Sequence, residues 1–181
     1  NLADFFRLNG ISYEALPIET NDEGKENLFA GRCDVYTTDA SGLSSTRAAA
    51  SNPDKWVVLP EIISKEPLGP LVRHGDHQWG DVVRWSLNAM IIAEELGITS
   101  ENVDAQMSSN VPEVLRLLGV EGNYGEMLEL SNDWAYQIIK QIGNYSESYE
   151  ANVGPDTPLE IARGLNALWT QGGILYAPPF R

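Results

Sequence analysis

Leu2, Phe5 and Phe6 fall on one face of a helical turn, and Asn9-Gly10 closes it, so the chain opens on a helix. From Ile11 to Glu19 polar and apolar positions alternate around Tyr13, Leu16 and Ile18, which predicts a strand. Asn21 to Ala30 returns to helical spacing and stops at Gly31. Cys33 to Thr37 is a compact run suited to a buried strand. Ser41 to Ser51 reads as an Ala/Ser-rich helix ended by Asn52-Pro53, and Trp56 to Leu59 as a further short strand. Strand and helix alternating in this way imply an α/β arrangement around a parallel or mixed sheet.

Ser64-Lys65-Glu66-Pro67-Leu68-Gly69-Pro70 interrupts the alternation and reads as an extended connection leading to Leu71-Val72-Arg73. Asp76 then caps a long helix reaching about Leu96. Val82, Trp85, Ala89, Ile92 and Leu96 recur along it at helical spacing, and Gly97 ends it. Beyond Gly97 the pattern is one of helices and loops. Val111, Val114, Leu115 and Leu118 form one amphipathic set, and Trp134, Ile138 and Ile142 a second. A third helix is expected from Pro158, with Ile161, Leu165, Leu168 and Trp169 on one side.

The 181 residues allow one large domain or two small ones. A hydrophobic fraction of 43% and a charged fraction of 21% are those of a soluble globular protein. No apolar run approaches the ~20 residues of a membrane helix. A formal charge of −14 argues against a nucleic-acid partner, which needs a Lys/Arg surface. Cys33 is the only cysteine, so an intrachain disulfide and a cysteine-rich metal site are excluded; on an apolar strand it reads as a small buried hydrophobe. The chain opens on Asn1 without Met: either a leader was removed or the sequence starts inside a longer protein.

The candidate chemistry centres on Asp39, delivered by the strand Cys33–Thr37 to its carboxyl end just before a helix. Ligands of open α/β sheets gather outside the carboxyl ends of the strands. A carboxylate there can hold an ammonium group, or it can cap the helix that follows. The pattern leaves both uses open. Ser41, Ser44 and Ser45 lack the Gly-x-Ser-x-Gly elbow and a related His, and read as helix surface and capping. His74 and His77 flank Asp76; a metal pair is weighed there against an exposed loop and helix start, and no metal is assigned. Gly119, Gly122 and Gly125 do not follow a strand, so a phosphate loop is not assigned. Of the five Trp residues only Trp79, near the helix start, stands apart from core packing.

Three segments resemble the periplasmic solute-binding proteins of polar and general L-amino-acid ABC transporters. They are Gly31-Arg32-Cys33-Asp34 with Thr38-Asp39-Ala40-Ser41-Gly42-Leu43; Ile63 to Arg73 with Gly75-Asp76; and Leu168-Trp169-Thr170 through Gly172-Gly173 to Tyr176-Ala177-Pro178-Pro179-Phe180-Arg181. The resemblance implies part of a two-lobe α/β fold of the type II periplasmic-binding-protein kind, with a helical C-terminal extension. Residues 1–63 would belong to the second lobe. Residues 64–181 would return through the hinge, at Glu66-Pro67, into the first lobe and wrap it. The family's opening half, with the Arg that grips the ligand carboxylate and a Thr-rich turn, would precede Asn1. Asp39 falls where the family binds the ligand ammonium, and Thr38 stands beside it. The expected role is non-catalytic: an L-amino acid is bound in the periplasm and handed to an ABC permease. No cofactor and no nucleic acid is involved, and the membrane is met only through the permease. The Asn144-Tyr145-Ser146 glycosylation sequon carries no weight in a bacterial protein of this kind. Two rivals remain. One is an enzyme on the same fold, for which only Glu61, Glu66 and the two His suggest an acid–base pair. The other is a truncated piece that self-associates.

Overall fold

The computed structural model describes residues 1–65 and 67–181; Glu66, and with it the expected hinge and acid–base role, lies outside the described residues. The chain divides into two compact units, Asn1–Gly69 and Pro70–Arg181.

Among the described residues the first unit carries three α-helices and a single 3-10 turn, Pro53–Lys55. Helix α1, Leu2–Leu8, turns one apolar face inward; Phe5 meets Phe6 edge-on at 5.9 Å, and Phe6 lies 4.6 Å from the Tyr13 ring. Helix α2, Asn21–Phe29, starts at Thr20, whose Oγ1 accepts from the Glu23 amide at 3.2 Å, while Glu23 Oε2 accepts from the Glu19 amide at 3.0 Å. Each bond satisfies an amide that the chain leaves without a helical partner at this end. Helix α3, Ala40–Ala48, starts at Asp39. Tyr36 lies on α2: a β-carbon at Gly24 would stand 2.5 Å from its ring, and its hydroxyl donates to Asn21 Oδ1 at 3.1 Å.

The three expected strands do not form. Residues 11–19, 33–37 and 56–59 carry no ladder, and among the described residues the only bridge is an isolated one between Leu168 and Leu175. A two-residue period says which side chains can share a face; a strand also needs a neighbour to take its amides and carbonyls. None of these segments has one here, so the unit is helices joined by unpaired segments rather than an α/β sheet. Among its described residues the buried ones are Gly24, Asn27 and Ser44, with no apolar side chain among them. Cys33 is half-buried rather than fully enclosed.

The second unit holds the apolar core. Helix α4, His77–Glu95, begins at Asp76, which accepts from the Trp79 amide at 3.1 Å, and ends at Leu96 before Gly97 at φ 68°. Ala89, Ile91, Ile92 and Ala93 are buried on it, with Val82, Trp85 and Leu96 packed alongside. Short helices α5 (Val103–Gln106), α6 (Pro112–Leu117) and α7 (Tyr124–Met127) precede α8 (Trp134–Ile142) and α9 (Tyr145–Asn152). On α6 the buried residues are Val114 and Leu117, while Val111 is exposed; on α8 they are Trp134, Ala135 and Ile139, while Ile142 is exposed. The expected stripes hold apart from their end residues: Leu118 is also fully buried and Ile138 packs on the core, while Val111, the N-cap of α6, and Ile142, the last residue of α8, project past their neighbours. No helix follows Pro158. Glu160 at φ 51° and Gly164 at φ 48° turn the backbone out of the helical region, leaving single 3-10 turns at Gly164–Asn166 and Trp169–Gln171. Phe180 closes the core, its ring 5.2 Å from Trp85, 5.5 Å from Tyr124 and 6.0 Å from Trp134, and its carbonyl accepts from Arg116 Nε at 3.1 Å. Among the described residues, no helix is long and apolar enough to cross a membrane.

Candidate functional site

Asp39 is extended (φ −60°, ψ 148°) and is the N-cap of α3. Its Oδ2 accepts from Ser41 Oγ at 2.7 Å and from the Gly42 amide at 2.8 Å. Its Oδ1 accepts from Thr38 Oγ1 at 3.4 Å, the long limit of such a bond. The Ser41 hydroxyl first, then the Gly42 amide, hold the Asp39 carboxyl below its ordinary value, against the opposite push of desolvation. The capping use of Asp39 is therefore realised. It does not consume the group: a carboxylate offers about four lone-pair sites, and two of these bonds crowd one oxygen. Oδ1 retains room for a further donor.

Asp39 and Thr38 sit at a shallow depression of about 220 Å³ within the first unit. One wall is a face of α2, contributed by Asn21, Lys25 and Phe29, each four residues apart; Tyr36 joins it. The rest of the lining comes from α3, through Gly42, Ser45 and Thr46, and from its C-cap Ala49. The lining mixes polar and apolar side chains that are neutral except for one anion, Asp39, and one cation, Lys25. Lys25 Nζ lies 3.1 Å from Asp22 Oδ1, an exposed pair on one helix. Lys25 was not singled out in the sequence; its only signal was the i, i+4 spacing from Asn21 on the face that turns toward Asp39.

The remaining candidates are structural or isolated. Ser41 serves Asp39, and Ser44 is buried on α3. His74 and His77 are exposed, and among the described residues no three His, Cys, Asp or Glu side chains gather as a metal group. Trp79 is 55% exposed at the start of α4. Asn144 is buried: its Nδ2 donates to the Ile98 carbonyl at 2.9 Å and its Oδ1 accepts from the Glu147 amide, so its side chain is an internal strut.

No protein-family model matches the chain. Curated proteins do match, over its whole length. It is 56% identical to the glutamate/glutamine/aspartate/asparagine-binding protein BztA of Rhodobacter capsulatus and 55% identical to the general L-amino acid-binding periplasmic protein AapJ of Rhizobium johnstonii. It is 53% identical to the putative amino-acid ABC transporter-binding protein YhdW of Escherichia coli. The chain spans about half the length of these relatives, 54%, 54% and 53% in turn. Among solved structures, a periplasmic binding protein of an ABC transporter from Brucella ovis with glutathione bound superimposes with a TM-score of 0.91 at 50% identity, over 99% of this chain and 57% of that one.

Proposed function

Since this chain is related along its whole length to the periplasmic amino-acid-binding proteins of ABC transporters, we propose that it contributes part of the ligand site of such a protein. The protein carrying it captures L-amino acids in the periplasm and presents them to an importer's permease without making or breaking a bond. The fold of that whole protein is the two-lobe α/β kind, in which residues 11–19, 33–37 and 56–59 find the strand partners they lack here. Asp39 meets the ligand's α-ammonium through Oδ1, with Thr38 beside it, and closure of the lobes on the ligand is the signal the permease detects.

Identity of 53–56% along the entire chain carries this reading. The ligands in the relatives' names add to it: glutamate, glutamine, aspartate, asparagine and the glutathione of the Brucella ovis protein all bear a free α-ammonium. Burying that charge without a fixed anion costs several kcal/mol.

The test separates capping from binding. Asn caps a helix as well as Asp does but carries no charge. In a protein of the relatives' full length carrying this chain, Asp39→Asn should keep the wild-type melting temperature and lose about 3–5 kcal/mol of amino-acid affinity in calorimetry. Unchanged affinity in that variant would remove Asp39 from the site.

A further inference from the structure

Lys25 stands in the same depression as Asp39 and is the cation among the side chains that line it. We propose that Lys25 is a specificity residue: it receives the distal carboxylate of an acidic amino acid whose α-ammonium rests on Asp39. This rests on the amino-acid reading above and adds to it which side chains are preferred.

Three observations carry it. First, placement: Lys25 comes from the middle of α2, whereas Asp39 comes from the start of α3, and residues of both helices line the one depression. The α-carboxylate of a ligand leaves the same carbon as its ammonium, so it stays near Asp39. In the proposed pose a side-chain carboxylate two or three bonds farther on points away from Asp39, toward Lys25 in the same lining. Second, availability: the present partner of Lys25 is Asp22, whose side chain is 87% exposed. An exposed pair of this kind holds little free energy, so a ligand carboxylate can take its place. Third, contrast: the other lining side chains are neutral amides, hydroxyls, rings or methyl groups, so a distal carboxylate has no other cation among them. They can hydrogen-bond a distal amide as readily as a carboxylate, and therefore do not discriminate between the two.

The discriminating measurement is calorimetry with L-glutamate and L-glutamine, which differ only in the charge of the distal group. It is made on a protein of the relatives' full length carrying this chain. Lys25→Gln should weaken glutamate by about tenfold or more while leaving glutamine nearly unchanged, and Lys25→Arg should restore most of the difference. Lys25 is half-buried on α2, and equal melting temperatures would confirm that the variants fold. Equal changes for both ligands, or none for glutamate, would overturn the role of Lys25 while leaving the amino-acid reading in place. Failure of the unsubstituted protein to bind either ligand would instead sink that reading, and Lys25 with it.

Discussion

Asp39 accepts two hydrogen bonds through one oxygen and a long one through the other, and the two short ones dominate its acid behaviour. Its folded-state value lies below the ordinary 3.8, chiefly through Ser41 and then Gly42. A lowered value means that the contribution to stability is fully present above the unfolded-state value. It is lost as pH falls through the folded-state value. In a protein of the relatives' full length carrying this chain, the protection of the α3 amides should therefore hold steady from neutral pH to about 5 and decline below about 4. Amide exchange followed against pH measures this, and Asp39→Asn should flatten that acid limb. Ligand affinity should fade over the same window, because protonation discharges the ammonium's partner. The candidate Asp39 was legible in the sequence because a carboxylate between a short apolar run and a helix start is a local pattern. Which of its two uses it serves was not legible, since one position satisfies both.

Helices α4 and α9 are tied together by groups far apart in sequence. Arg163 Nη2 lies 3.0 Å from Glu94 Oε1, and the two side chains are only 16% and 9% exposed. The same guanidinium donates to the Asn166 carbonyl and lies 5.3 Å from the ring centres of Tyr145 and Tyr149. Removing one partner leaves a charge in a desolvated place. Arg163→Ala should cost about 3–5 kcal/mol in chemical denaturation, and the pair Glu94→Leu with Arg163→Met distinctly less. Asn144 is the second tie. It forms a capping box with Glu147, and Glu147 also accepts from the Ser100 amide and hydroxyl. Asn144→Ala should cost about 1–3 kcal/mol in the same measurement, since it removes a cap and leaves the Ile98 carbonyl without this donor. The Asn-x-x-Glu spacing that marks this helix start was present in the sequence, overlapping the sequon. The partner at Ile98 was not, because 46 residues separate the two.

Every buried apolar side chain of the described residues belongs to the second unit, from Ala89 to Phe180. Burial of that kind supplies most of the stabilisation of a small domain at roughly 25 cal/mol per Å² of apolar surface. The chain on its own should therefore unfold unevenly. Hydrogen exchange should find the amides of α4 and α8 strongly protected and those of α2 and α3 nearly open. Equal protection across both units would contradict this. In a protein of the relatives' full length, the first unit's amides should gain protection, as its exposed Val57, Leu59 and Ile62 find cover.

Local signals in the sequence marked the long helix from Asp76 to Gly97, the stop of α1, both ends of α2, the start of α3 and the family likeness; α3 itself ends at Ala48, three residues before the expected Ser51. These follow from neighbours within a few residues, and such contacts are written in the chain itself. Three outcomes required the folded chain. The apolar runs near Tyr13, Val35 and Val57 remain unpaired because strand formation depends on a partner elsewhere. The segment after Pro158 is irregular because positive φ at Glu160 and Gly164 diverts it, and Arg163 holds it there by contacts to distant helices. Lys25 comes to share a depression with Asp39 only through the packing of α2, Tyr36 and α3, residues far apart in the chain.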